Sequence, residues 1–322
     1  MKIHKEVNAL ISQAEAERRC CYGSSDAQRR ALHRRVLSNE LASPYPNMYA
    51  RSGYWEGLNP EERTCHLVVG LSQLHPRWVF AGLSAAAALG FDHPWALHDD
   101  RYGLVHIATS GPTRRESRLQ YFHVHDLKVR AYAGLSVTTP AQTLVTCAIA
   151  YPFIYVLPIF DSALRKRMTT KLEILEICDA MHIDVGSVLR LLHYANALSE
   201  NGGESLCRAI IIEYGFAMPL LQETLVDPYG GGCYRVDFLW RLADGRVIVL
   251  EFDGAAKYAD PQMTRGRGVE RVVFEERRRE DALRRAGVTT IIRVNYSEVV
   301  QGLDLVRKLQ DAGIPRITQR AW

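Results

Sequence analysis

Two carboxylates interrupt strand-like runs that are otherwise apolar. Asp237 lies in Val236-Asp237-Phe238-Leu239-Trp240, and Glu251 in Val247-Ile248-Val249-Leu250-Glu251-Phe252. Aspartate is depleted in strands, and a buried carboxylate without a partner is costly. A fold that accepts both residues must bring each a cation or an arginine. The linking segment, Ala243-Asp244-Gly245, suits a three-residue hairpin loop with Gly245 in the left-handed region. That loop pairs Phe238 with Leu250 and Trp240 with Ile248 on an apolar face. It also sets Asp237 directly opposite Glu251, about 5 Å apart at Cβ. A two-residue loop would send the carboxylates to opposite faces. Asp253, two residues further on, shares the face of Glu251 if the strand continues.

Two facing carboxylates make a hard, oxygen-rich site suited to Mg²⁺ or Mn²⁺ with several waters. Glu204, in the first turn of the preceding helix, is a candidate third ligand. Each residue also has an ordinary alternative. Glu204 can simply compensate a helix dipole, and Asp237 can pair with Arg235 or with an arginine on a helix.

The surrounding pattern is αβββαβα. A helix over 204–214 ends at Gly215, and strands follow at 220–226, 234–242 and 246–252. A helix over about 268–286 closes at Gly287. A strand at 288–294 and a helix at 303–312 complete the section, which is expected to span 198–322. All eleven histidines lie at or before His193. Histidine-based nuclease chemistry and histidine-ligated metal are therefore excluded from this section.

Upstream, two further sections are expected. Residues 1–58 hold helices at 2–19 and 25–38, a Ser43-Pro44-Tyr45-Pro46-Asn47 turn and a short extended piece. Residues 59–197 are mixed. Helices begin at Pro60 and Pro140, strand-like alternation marks 105–108 and 119–124, and 170–197 reads as helical throughout. At ~150 residues per domain, 322 residues suggest about two domains. The fold class expected for the whole chain is α/β, or α+β overall.

Composition narrows the function classes. The 40 lysines and arginines against 36 acids leave a net charge of +4, too small to demand a nucleic-acid partner unless the basic residues cluster. They do cluster at Arg29, Arg30, Arg34 and Arg35 on the second helix. Arg30 and Arg34 stand one turn apart, where they can meet phosphates; a solvated amphipathic face is the alternative. Arg278 and Arg279 are further phosphate candidates, although their Glu-rich setting also suits a salt-bridged surface. The seven cysteines include no C-x-x-C pair. That argues against a disulfide framework or a cysteine zinc site and suggests a reduced, cytoplasmic protein. No signal peptide or membrane span is expected, since the most apolar window, 149–160, is interrupted by Pro152 and Pro158. His123 and His125 share a strand face but lack a third ligand. Nucleophile-elbow and phosphate-loop patterns are missing.

Glu204, then Tyr234-Arg235-Val236-Asp237-Phe238, then Val249-Leu250-Glu251-Phe252-Asp253-Gly254 resemble the PD-(D/E)xK nuclease superfamily. The resemblance is to its very-short-patch-repair-like endonuclease branch and covers roughly 199–310. It implies a restriction-endonuclease-like fold and Mg²⁺- or Mn²⁺-dependent hydrolysis of DNA phosphodiesters. Asp237 and Glu251 would be the metal ligands and Glu204 an auxiliary acid. The usual motif ends in Glu-x-Lys, whereas here Asp253 takes the lysine position. Lys257 is the candidate electrostatic helper, and Asp253 is alternatively an extra ligand. The region 25–165, with Asn47-Met48-Tyr49-Ala50 and Gly134-Leu135-Ser136-Val137-Thr138-Thr139-Pro140-Ala141, resembles AbiEi-type antitoxins. This implies a winged-helix-like DNA-binding segment and a nucleotidyltransferase-type toxin as partner. Two functions follow as expectations: a DNA endonuclease in phage defence or a toxin–antitoxin setting, or a non-catalytic DNA-binding regulator carrying a degenerate nuclease fold.

Overall fold

A computed structural model describes residues 2–98, 105–116, 118–181, 184–253 and 269–317. The fold is mixed α/β, as expected. The chain divides into two compact units rather than three sections: residues 1–151 with 168–189, and residues 152–167 with 190–322.

The first unit opens with α1 (Lys2–Ala16) and α2 (Asp26–Leu37). Ser25 caps α2 by accepting from the Gln28 N–H, which satisfies one of the amides left free at a helix start. Val7, Ile11 and Ala14 of α1 pack on Ala31 and Leu32 of α2. A two-stranded ribbon follows, β1 (Leu41–Tyr45) and β2 (Met48–Arg51), turning at Asn47 with φ 57°. Leu41 and Tyr49 close the same small core. Next come α3 (Ser52–Gly57) and α4 (Pro60–Leu74). Asn59 and Glu62 form a reciprocal capping box at the start of α4, with Pro60 in the first turn.

The rest of this unit surrounds α5 (Gly82–Ala88), whose small residues are buried. A three-stranded sheet holds β3 (Val105–Thr109), β4 (Arg114–Glu116) and β5 (Leu119–His123) in the order β3-β5-β4. Beside it lie the hairpin β6 (Val129–Tyr132) and β7 (Leu135–Thr138), then α6 (Pro140–Ala150). Ser84 Oγ accepts the His106 N–H at 2.9 Å. His98 hydrogen-bonds Thr64 and His93, and burial lowers its pKa to about 3. The chain then enters the second unit as α7 (Phe153–Arg165), re-enters the first as α8 (Lys171–Asp179), and leaves it within α9 (Gly186–Tyr194). The stretch read as one helix over 170–197 is thus two helices. Among the described residues no helix is long and apolar enough to cross a membrane.

The second unit is an α/β/α layer structure. After α10 (Gly202–Glu213) come β8 (Leu220–Val226), β9 (Cys233–Arg241) and β10 (Val247–Asp253). Then follow α11 (Val269–Arg285), β11 (Thr290–Asn295), α12 (Tyr296–Gln301) and α13 (Leu303–Asp311). The sheet order is β11-β10-β9-β8, with only the β10–β11 pair parallel. Phe238, Trp240, Ile248 and Leu250 pack beneath α10, α12 and α13. Leu239 and Val249 pack against Leu283 of α11 on the other face. The period-two alternation of the strands fills both faces. The expected order of elements appears, with α12 as an addition. The window read as the most apolar runs from the end of α6 into α7, whose buried residues are Val156 to Ala163 and whose Asp161 pairs with Arg208 of α10.

Candidate functional site

The β9–β10 hairpin has the expected three-residue loop. Arg241 pairs with Val247, Trp240 with Ile248 and Phe238 with Leu250, and Gly245 is left-handed at φ 88°. The ladder ends at that last pair. One step beyond, Asp237 Oδ2 accepts the Phe252 N–H at 2.8 Å, so a side chain takes over from the backbone as partner. β9 is irregular at this point. Val236 and Leu239 both join the cluster under α11, so the alternation slips by one residue at Asp237. Across from it, Gln222 of β8 is left-handed at φ 54°, an unfavourable region for a residue with a Cβ. The β8–β9 register resumes on either side.

The slip determines the partners of each carboxylate. Gln222 Nε2 donates to Asp237 Oδ1 at 3.3 Å and to Glu204 Oε2 at 3.1 Å. Glu204 is buried at the start of α10, where Asn201 caps its N–H at 3.0 Å. The Glu204 carboxylate also accepts from the Glu200 N–H and from Asn201 Nδ2. It therefore acts both as a capping residue and as part of a carboxylate pair. Burial, reinforced by the charge of Asp237, pushes its pKa up to about 7 despite the hydrogen bond from Glu200. Gly203 permits this close approach. A Cβ there would stand 2.2 Å from the Phe252 ring, and α10 would be driven off β10.

Glu251 has a different partner. Arg279 of α11 donates to its carboxylate and, through Nη2, to the Arg235 carbonyl at 2.6 Å. Its β11 neighbour Arg293 binds Glu276 and Glu280 of α11. Asp253 pairs across β10–β11 with Asn295 and adds negative charge near Arg293. The expected register therefore holds, but the expected partnership does not. Asp237 is coupled to Glu204, and Glu251 is held by an arginine. Lys257 lies outside the described residues.

Three of the basic residues read as phosphate contacts have partners within the chain. Arg279 is engaged with Glu251. Arg35 is buried and donates to Asn8 Oδ1 at 2.5 Å and to Glu40 at 3.1 Å, so it holds α1, α2 and the ribbon together. Arg29 is exposed but paired with Asp26. Arg30 and Arg34, with His33 and Leu37, form the exposed stripe of α2. Both arginine side chains are exposed. Arg278 is exposed on α11.

Gln222 is the residue that sequence reasoning missed. Its signal was weak: one amide in a strand with apolar neighbours Leu220, Leu221 and Leu225. Its Oε1 is buried and has no hydrogen-bond partner among the described residues. Two carboxylates and an unsatisfied amide oxygen are hard donors, and they fit Mg²⁺ or Mn²⁺ far better than a soft metal. Among the described residues no three histidine, cysteine or carboxylate side chains converge for a metal, so the amide is needed to bring the donors to three.

The chain is 28% identical over 181 residues to uncharacterized proteins of Mycobacterium tuberculosis, from strain CDC 1551 / Oshkosh and from strain ATCC 25618 / H37Rv. The match covers 55% of this chain and 63% of each relative. No family model and no solved structure matches the chain.

Proposed function

We propose that the second unit is a divalent-cation-dependent DNA endonuclease and that α2 of the first unit is a DNA-contacting helix. The observation that carries the reading is the convergence of Glu204, Asp237 and Gln222 at the end of β10, where Glu204 is kept beside a second carboxylate although burial opposes its charge. A carboxyl group raised by burial and by a neighbouring negative charge gains most when a cation arrives. Glu204 and Asp237 would hold the ion. A bound Mg²⁺ or Mn²⁺ lowers the pKa of a ligated water and stabilises charge on a phosphoryl oxygen. Asp237, fixed through Oδ2 by the Phe252 N–H, presents Oδ1 to the Gln222 amide. Arg30 and Arg34 supply positive charge for the phosphate backbone.

Incubation of supercoiled plasmid with the full chain and Mg²⁺ or Mn²⁺ is expected to give nicked or linear products, and EDTA to abolish them. A specific observation favours a second reading. Arg279 already neutralises Glu251, as it would in a fold kept only for binding. Intact DNA binding with no metal-dependent cleavage of any DNA form would establish that alternative, a DNA-binding regulator or antitoxin with a toxin partner.

The DNA-binding assignment has its own test. Joint Arg30→Ala and Arg34→Ala substitution is expected to weaken DNA binding and to lower the slope of log K against log salt by about two, near one per lost phosphate contact. An unchanged slope would remove α2 from the interface.

A further inference from the structure

We propose that the Gln222 side chain is a two-way group in the carboxylate site: its N–H donors bridge Glu204 and Asp237 when no cation is bound, and its amide oxygen joins them as a third ligand when one is. The inference rests on the metal-site reading above and extends it to a residue outside the motif.

Three independent features of the structure meet at this residue. Its Nε2 serves two carboxylates at once, at 3.1 and 3.3 Å. Its Oε1 is buried with no partner among the described residues. Its backbone is left-handed at φ 54°, where the ladder with β9 skips one rung. A non-glycine residue is disfavoured in that region and persists where the surroundings impose it. The skipped rung leaves Gln222 free of the β-ladder and sets its side chain against Asp237.

The two ends of an amide have nearly the same shape and opposite hydrogen-bonding roles. With both carboxylates ionised, only the N–H end can face them, since an oxygen there would be repelled. A divalent cation reverses that preference. A half-turn about the Cγ–Cδ bond then brings Oε1 to the carboxylate side. No hydrogen bond of Oε1 is lost in the turn, because it makes none among the described residues. The two N–H contacts are exchanged for coordination, and no backbone movement is required.

The test uses the full chain, with Mn²⁺ affinity measured by titration calorimetry and Mn²⁺ electron paramagnetic resonance. Gln222→Glu keeps a side-chain oxygen and loses the donors. Gln222→Met loses both. If Gln222 is an oxygen ligand, Gln222→Met binds Mn²⁺ at least tenfold more weakly than the parent. Gln222→Glu binds it at least as tightly, while its metal-free form melts at a lower temperature that Mn²⁺ restores. Circular dichroism verifies the fold of each variant. If Gln222→Met does not fold, Gln222→Glu alone decides the matter. Affinity at parental level in Gln222→Met, or tenfold weakened in Gln222→Glu, overturns the proposal while leaving the carboxylate site standing. Absence of Mn²⁺ binding in the parent chain, or unaltered binding in Asp237→Asn, overturns the underlying metal site as well.

Discussion

An Arg208→Ala variant is expected to lose about 3–5 kcal/mol of stability in the second unit. Arg208 and Asp161 are 1% and 0% exposed, and their charged atoms are 2.5 Å apart. Asp161 also accepts the Asn196 N–H at 2.8 Å, and Arg208 donates to the Tyr194 carbonyl. Removing the guanidinium leaves a buried carboxylate with a single hydrogen bond, and the desolvation of that charge is no longer offset. The pair joins α7 to α10, the helix that carries Glu204 at its start. Urea unfolding of the full chain, followed by hydrogen exchange in β8–β11, would measure the loss. Replacing both partners by apolar residues of similar volume is expected to recover much of it, because no unpaired charge then remains. A change below about 1 kcal/mol in Arg208→Ala would contradict the assignment of this pair as a buried, mutually compensated charge pair.

Asp237→Asn is expected to leave the fold intact and to reduce metal-dependent DNA cleavage by roughly a thousandfold, about 4 kcal/mol of transition-state stabilisation. The substitution preserves shape and removes one charge from the carboxylate pair. Because Asp237 raises the Glu204 pKa, the variant should also bring that carboxyl group down toward its ordinary range. The sign follows from the charge removed: with less negative potential nearby, ionised Glu204 is less disfavoured. A raised carboxylate pKa costs stability as pH rises from about 4.5 to 7, so the metal-free variant should resist that rise better than the parent. Plasmid nicking measures the first effect, and carbon-detected titration of Glu204 the second. Cleavage at the parental rate would remove Asp237 from the chemistry.

Much of the second unit could be read from residues alone because strong local signals agree. Gly245 sets the hairpin loop, and the pairs Phe238–Leu250 and Trp240–Ile248 have a common face only in the register that loop produces. The site was half legible for the same reason. Alternation implied that Asp237 would face the side of Glu251, yet a slip at one residue reassigned it, and nothing in Val236-Asp237-Phe238 announces that slip. Its counterpart lies on another strand, in the left-handed Gln222. Arg279 reaches Glu251 from 28 residues away, and a helix rich in both signs of charge offers several equivalent candidates for the contact. The four arginines of α2 occupy more than one helix face, and it is contacts such as those with Asn8 on α1 and Glu40 beyond α2 that place Arg35 inside. α7 is apolar enough to suit either core. What links it to the second is the Asp161–Arg208 pair, whose members are 47 residues apart.

On the proposed function, Glu204 and Asp237, bridged by Gln222, hold a divalent cation. Crystals of the full chain soaked in Mn²⁺ and measured at the manganese absorption edge would locate the ion through its anomalous scattering. One peak is expected within coordination distance of both carboxylates, and none in Asp237→Asn crystals. A map with no peak beside Glu204 and Asp237, at Mn²⁺ concentrations that support cleavage, would contradict it.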